Sequence, residues 1–450
     1  MTERVIPRLV IAGVSSGVGK TTLTAGLARA LTRLGLRVAM FKCGPDYLDP
    51  TYHRRAAGRA CHNLDGWMMG EHAVRATFLA ETQGADIALI EGAMGLFDGA
   101  SATSSEGSTA EIAAWLAAPV LLVIDAGGMA RSAAALAQGY ARFDPAVRVA
   151  GVLANRLGSA SHLAILREAC VDPPLLGGML RDPSRAFPSR HLGLHAADDA
   201  ITDADLDAAA DALTAHTPLD PLRALAASAA PLRETAHASI TPIARCRIGV
   251  ARDAAFSFYY PYNLALLERL GATLVPFSPL DDDALPDVDG VYLGGGYPEL
   301  HAARLAENVA MREALRAHVA RGRPLYAECG GLMYASEALV TRDGARHPML
   351  GLVAGVAVMQ PRLAALGYVE VETTAPSILG PAGVRFRGHQ FRYSQLVGAD
   401  PSTRYRVRVR RTGALGDEGY GPGSVLASYV HAHWASDPAA ARGFVRACAG

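Results

Sequence analysis

Arg8-Leu-Val-Ile-Ala-Gly-Val-Ser-Ser-Gly-Val-Gly-Lys-Thr-Thr22 is the stretch from which the fold is read. A short apolar run, a glycine-rich turn and the start of an amphipathic segment predict a strand, a loop and a helix in that order. Such a loop is a phosphate cradle. Gly13, Gly17 and Gly19 let backbone N–H groups approach an anion, Lys20 adds a compact positive charge, and the Thr21 hydroxyl can reach Mg2+. Five residues separate Gly13 from Gly19, one more than the four of the common Gly-x4-Gly-Lys-Ser/Thr loop. Of 43 Lys and Arg residues, only Lys20 and Lys42 are lysine. A chain that otherwise writes its positive charge as arginine places both flexible point charges in the phosphate region. Gly17, Val18, Gly19, Lys20, Thr21 and Thr22 are therefore the expected phosphate-binding residues of a nucleotide.

Beyond the loop, residues 23–34 carry apolar positions at helical spacing and stop at Gly35. A buried strand at 37–41 delivers the polar loop Lys42-Cys-Gly-Pro-Asp-Tyr-Leu-Asp-Pro50 to the carboxyl edge of the sheet, where open α/β sheets bind ligands. Asp46 and Asp49 are both placed to serve Mg2+ or a substrate. Asp46, beside the Gly-Pro turn, is the favoured one, and Asp49 alone reads equally as a solvated Asp-Pro turn. The apolar strand at 85–91 ends in Glu91, an acid positioned to hold Mg2+, so the expected metal set is Thr21, Asp46 and Glu91. Strands at 119–125 and 148–153 follow, and Asn155, just past the second, is assigned to the adenine. Near-continuous apolar strands alternating with helices predict a parallel sheet covered on both faces.

The 450 residues, half of them apolar, suffice for two or three ordinary domains. Six scattered cysteines with no Cys-x-x-Cys pair indicate neither a zinc ribbon nor a disulfide framework, and fit a reducing, cytoplasmic setting. Absence of a long uncharged apolar run argues against a signal peptide or a membrane span. A formal net charge of zero, with no basic block, disfavours nucleic acid as a partner. Residues 199–213 read as an exposed helix, and 218–244, rich in Ala, Pro, Ser and Thr, as connection. The predicted domains are 1–220, a linker at 221–245, and 246–450.

A second α/β pattern starts at Arg247. Gly290-Val-Tyr-Leu-Gly-Gly-Gly-Tyr-Pro-Glu-Leu300 exposes backbone amides after a strand, the material of an oxyanion hole. In Pro324-Leu-Tyr-Ala-Glu-Cys-Gly-Gly-Leu-Met-Tyr334 a strand ends at a cysteine and small residues open a helix, the geometry of a nucleophile elbow. The helix N-terminus is expected to lower the Cys329 thiol pKa. Gly295 and Gly296 of that run, with Gly330 after the cysteine, are the expected oxyanion contacts. A thiolate needs a base, and Ala427-Ser-Tyr-Val-His-Ala-His-Trp434 offers two histidines.

Taken in order, these motifs resemble the glutamine-hydrolysing a,c-diamide synthases that act on cobyrinate or hydrogenobyrinate. The resemblance extends through Arg190-His-Leu-Gly-Leu194 and Gly388-His-Gln-Phe-Arg-Tyr-Ser394 and covers nearly the whole chain. The long phosphate loop is similar to those of dethiobiotin synthetase-like enzymes, which activate carboxylates with ATP. In ATPases that partition DNA, a signature lysine stands where this chain has Ser15. The resemblance implies an N-terminal P-loop NTPase-like, mostly parallel sheet and a C-terminal class I glutamine amidotransferase domain of flavodoxin-like α/β fold. It implies a Cys329-His431 dyad, with His433 standing where many class I amidotransferases carry a glutamate. Asp46, Tyr47, Leu48, Asp98, Arg190 and His191 are implied to meet a corrinoid polycarboxylate. The implied co-substrates are glutamine and ATP with Mg2+, and a homodimer is compatible with the family. Gln390 and Arg392 depart from the family's common Gly-His-Glu-Phe-His-Tyr-Ser, which leaves His389 a substrate or structural residue. Alternatives that the motifs leave open are cobyrate synthase, nickel sirohydrochlorin a,c-diamide synthase and, in another class, a ParA-like ATPase switch.

Overall fold

The computed structural model describes residues 3–182, 201–233 and 240–450. The chain divides into two compact units, Met1–His237 and Ala238–Gly450.

In the first unit seven parallel strands lie in the order Cys61–Leu64, Val38–Cys43, Ile87–Gly95, Arg8–Gly13, Val120–Asp125, Val149–Leu157, Leu175–Leu180. Arg8–Gly13 is central and wholly buried, because apolar side chains on both of its faces meet covering helices. Chain order reverses on either side of it, so its carboxyl end opens at a topological switch point. The phosphate loop occupies that place. Gly19 caps the helix Lys20–Arg33 at φ 93°, a left-handed conformation that favours glycine.

Three elements differ from the sequence reading. The segment read as an exposed helix is Asp203–Thr214, whose Leu206, Ala209, Ala210 and Leu213 are buried. It lies on the first helix, where a side chain at Gly26 would come within 3.0 Å of the Ala209 carbonyl, and it is flanked by Arg29–Asp207 at 2.8 Å and Arg33–Asp211 at 2.7 Å. The expected linker at 221–245 begins inside a helix, Leu219–Ala227, with Leu222 and Ala226 buried. Pro221 falls in the first turn, where a missing N–H costs no helical bond. Leu232–Arg233 then pairs antiparallel with Glu3–Arg4.

Arg8 ties this returning segment to the central strand. Its guanidinium is fully buried and donates to the carbonyls of Leu116 at 2.6 Å, Ile6 at 2.9 Å and Ala117 at 3.3 Å, and to that of Ala230. Burial lowers its pKa to about 10, still far above neutrality.

The second unit is built on five parallel strands ordered Ala272–Phe277, Cys246–Ala251, Gly290–Leu293, Leu325–Glu328, Val425–Ser428. Two further sheets are built mostly from the chain between the last two strands. One is antiparallel, ordered Leu415–Glu418, Tyr405–Val409, Ala365–Thr373, Arg385–Arg392, His431–His433. The other joins Arg346–Pro348, Ser336–Val340, Val353–Met359 and Ser394–Val397. Among the described residues no helix is long and apolar enough to cross a membrane.

Replacing Arg8 by Met keeps the side-chain length and strands the carbonyls. A loss of about 2–4 kcal/mol is expected, visible as a lower urea midpoint for the first unit.

Candidate functional site

The first site collects at the end of three strands. Thr21 Oγ1, in the first turn after the phosphate loop, lies 2.8 Å from Glu91 Oε1 and 3.3 Å from Asp49 Oδ2. Lys42 Nζ lies 2.7 Å from Asp49 Oδ2, 2.9 Å from Glu91 Oε1 and 4.0 Å from Asp46 Oδ2. His53 Nε2 meets the other Glu91 oxygen. Glu91 and His53 have no exposed surface, and Lys42 and Asp49 are 1 % exposed. Burial pushes the Glu91 carboxyl up, but the Lys42 and His53 charges outweigh it, so the group is held well below the usual carboxylate range.

Three carboxylates around one ammonium leave an excess of negative charge beside the loop. The Thr21 hydroxyl and the two carboxylates within 3.3 Å of it are hard oxygen donors, a chemistry that fits Mg2+. Asp49, not the expected Asp46, reaches Thr21. Asp46 Oδ1 instead accepts from the N–H groups of Leu48 at 2.9 Å and Asp49 at 3.0 Å, closing the turn that starts helix Asp49–Ala57. That turn brings Tyr47 and Leu48 half-buried to the same strand end.

The loop itself is braced from the opposite side. Asn155 Nδ2 donates to the Val18 carbonyl at 2.8 Å, and Asn155 Oδ1 accepts from Arg156 N at 2.9 Å. A side chain on Gly19 would sit 2.1 Å from that amide. The residue assigned to the adenine is thus packed under the loop backbone. Lys20 Nζ donates to the carbonyls of Ser15 at 3.0 Å and Met94 at 2.6 Å. Asp98 is exposed and its Oδ2 accepts from Gly95 N at 3.0 Å. Arg190 and His191 lie outside the described residues.

In the second unit Cys329 follows strand Leu325–Glu328 and precedes helix Gly330–Ala335, at φ 49° and ψ −99°. A non-glycine residue at positive φ is strained, and here the strain turns the sulfur out of the strand line. Cys329 N donates to the Ser428 carbonyl at 2.8 Å, which sets the cysteine beside the segment leading to His431. The glycine run borders both residues. A side chain at Gly330 would meet Gly296 N at 3.0 Å, and one at Gly295 would meet His431 Cε1 at 2.5 Å. Gly295 N is 3.3 Å from the Phe258 carbonyl to which it donates, so Gly295 provides clearance for the imidazole and not the expected free amide. The Gly330 N–H donates to the sulfur.

The expected lowering of the thiol pKa is reversed. Burial, then the Glu299 carboxylate, raise Cys329 to about 12, against a smaller opposing effect of Arg392 and the Gly330 N–H. A six-residue helix offers too little dipole to overcome this. Burial lowers His431 to about 3, so the resting pair is a neutral thiol and a neutral imidazole.

Sequence reading missed the groups that fix the His431 strand. Glu328 Oε1 accepts from Ala432 N at 3.0 Å and from the Tyr326 hydroxyl at 2.8 Å, and Oε2 accepts from the Tyr292 hydroxyl at 2.9 Å. Asn263 donates to the Ala432 carbonyl at 2.8 Å and accepts from Trp434 N at 2.9 Å. His389, the register partner of His431, stacks on it at 4.8 Å with a 15° interplanar angle. His389 Nδ1 lies 2.9 Å from the Tyr260 hydroxyl. His433 has no exposed surface and packs on Tyr260 at 4.5 Å and Tyr262 at 5.4 Å. An acid within a buried strand, as in Leu325-Tyr-Ala-Glu328, was the available signal for Glu328.

Residues 9–193 match the model of the CobQ/CobB/MinD/ParA nucleotide binding domain, and residues 247–439 that of the CobB/CobQ-like glutamine amidotransferase domain. The chain is 52 % identical over 455 residues to the cobyrinate a,c-diamide synthase of Syntrophotalea carbinolica, covering 99 % of each. It is 48 % identical over 448 residues to that of Leptospira interrogans strain Fiocruz L1-130, covering 98 % of each. It is 47 % identical over 453 residues to the hydrogenobyrinate a,c-diamide synthase of Stutzerimonas stutzeri, covering 99 % of this chain and 100 % of the relative.

A thiol raised by burial stays protonated through the neutral range. Alkylation of Cys329 by iodoacetamide is therefore expected to climb about tenfold per pH unit from pH 7 to 9.5. A plateau below pH 9, followed by peptide mass spectrometry, would show an activated thiolate instead.

Proposed function

The chain belongs to the glutamine-dependent a,c-diamide synthase family of cobalamin biosynthesis, and on that premise we propose how its two units divide the reaction. It is a carbon–nitrogen ligase that uses ATP and glutamine to amidate the a and c side-chain carboxylates of cobyrinate or hydrogenobyrinate. The observation that carries the assignment of roles is the strained Cys329 elbow bordered by the glycine turn that clears His431.

In the second unit the Cys329 sulfur attacks the glutamine carboxamide carbon while His431 takes the thiol proton. With a thiol near 12 and an imidazole near 3, that transfer is uphill at rest and proceeds together with attack. The N–H groups of Gly296 and Gly330 are proposed to stabilise the oxyanion. His431 returns the proton to the leaving nitrogen, ammonia departs, and water releases glutamate from the thioester.

In the first unit Gly17, Val18, Gly19, Lys20, Thr21 and Thr22 are proposed to hold the ATP phosphates. Mg2+ bound by Thr21, Asp49 and Glu91 would neutralise phosphate charge. A carboxylate is a poor electrophile. Its oxygen attacks the γ-phosphorus, ADP leaves, and the resulting acyl phosphate is displaced by ammonia to give the amide and phosphate. Lys42 and His53 hold the Glu91 carboxylate ionised and fixed. Six free, buried cysteines support work in a reducing cytoplasm.

Replacing Cys329 by Ala tests the division. With glutamine, diamide formation from cobyrinate and from hydrogenobyrinate is expected to fall by at least about a thousandfold. With ammonium chloride and ATP it is expected to persist, each product gaining two amides by mass spectrometry. Loss of the ammonia-driven reaction in a natively folded variant would contradict the assignment.

A further inference from the structure

Past Glu91 the strand Ile87–Gly95 runs into a loop that turns apolar groups outward beside the phosphate cradle. Met94 sits at φ 49° with 47 % of its surface exposed, and its carbonyl accepts from Lys20 Nζ at 2.6 Å. Three residues on, Phe97 stacks on Tyr140 at 5.6 Å with a 29° interplanar angle and meets Phe143 at 4.7 Å. Tyr140 and Phe143 stand one turn apart on helix Arg131–Phe143. The Tyr140 hydroxyl donates to the Val14 carbonyl at 2.7 Å, which fixes this aromatic cluster to the first residue of the phosphate loop. Leu96 N donates to the Gly13 carbonyl at 2.8 Å, fixing it a second time. Phe143 is 72 % exposed.

An aromatic group held in water beside a phosphate loop requires an explanation, since nothing in phosphate binding uses it. The acid to be phosphorylated must come within bonding distance of the γ-phosphorus, hence to this loop. In the substrate class read above, that acid is one of several carried around a large macrocycle whose ring carbons and methyl groups are apolar. We propose that Met94, Phe97, Tyr140 and Phe143 form the shelf on which the tetrapyrrole-derived ring lies while one of its carboxylates enters the phosphate cradle. The proposal rests on the reaction assigned above and adds the surface that recognises the ring.

The shelf also accounts for how one site serves two side chains. Apolar and aromatic contact is non-directional, so a ring can be released and set down again with a second carboxylate forward without any hydrogen bond being mismatched. Asp98, adjacent to Phe97, has its Oδ2 on Gly95 N at 3.0 Å, so that carboxylate holds the loop shape beside the shelf.

The experiment measures equilibrium dialysis of cobyrinate and steady-state KM values for cobyrinate and ATP. It uses the full chain, its Phe143→Ser and Phe143→Leu variants, and Phe97→Leu. Phe143 is exposed, so its replacement is not expected to disturb folding. Loss of an aromatic contact is expected to weaken cobyrinate binding and raise its KM about five- to tenfold in Phe143→Ser. Phe143→Leu should recover most of that, and the KM for ATP should stay within about twofold. Cobyrinate binding within twofold of the parent chain in both Phe143→Ser and Phe97→Leu would overturn the proposal. A rise in the ATP KM alone would also overturn it, placing the nucleotide base on the shelf. If the parent chain amidates neither cobyrinate nor hydrogenobyrinate, the functional reading fails first; if it does and the variants match it, only the shelf fails.

Discussion

An ionised carboxylate without exposed surface costs several kcal/mol unless its charge and lone pairs are answered. Glu91 is such a group, and the first unit is arranged to answer it. Lys42 comes from the neighbouring strand, His53 from the helix that follows, and Thr21 from the helix that starts at the phosphate loop. One strand and two helices are thereby held at one strand end. Removing any one of these partners leaves charge uncompensated in the interior, so the geometry of the phosphate region is over-determined before any nucleotide arrives. Pre-paid ordering of this kind is what phosphoryl transfer asks of a protein that contributes mainly position and charge.

The second unit meets a related constraint with the opposite sign. Its Cys329 thiol and His431 imidazole are buried and neutral, and Glu328 is buried beside the His431 strand. Burial raises Glu328 to about 7, while the hydroxyls of Tyr326 and Tyr292 and the Ala432 N–H pull the other way. The bond from Ala432 N fastens the backbone between His431 and His433 to the strand that ends at Cys329, and the two tyrosine hydroxyls hold the carboxylate in place. Cys329 and His431 are thus indexed to one another through main chain. His433, two residues after His431, is packed among aromatic rings.

Much of this was legible because the decisive signals are local. A strand, a turn that needs glycine and a helix start within a few residues read directly as a phosphate loop, and a cysteine between a strand and small residues reads as an elbow. The parallel sheets follow from apolar runs spaced by helices. What was not legible depends on partners remote in sequence. Cys61-His-Asn-Leu64 is too polar and short to announce an edge strand, and helix Leu219–Ala227 lies in a stretch whose Ala, Pro and Ser content resembles connection. Choosing Asp46 over Asp49 missed that one acid must cap the turn for the other to face inward. Asp49 and His53 stand four apart on one helix face, a spacing that could have revealed the pair. Positions 336–418 do alternate in places, as in Tyr405-Arg-Val-Arg-Val409, but alternation does not give strand order. Their strands pair across sheets whose order is set by tertiary contact, and only there does His389 come to lie on His431.

The account stands or falls on the nucleotide being used to activate the ring's own acid. That is read most directly by labelling the ring carboxylates with oxygen-18, running the reaction with glutamine and ATP, and weighing the inorganic phosphate released. The account predicts one labelled oxygen in phosphate for each amide formed. Phosphate carrying only unlabelled oxygen, with diamide made in full yield, would contradict it.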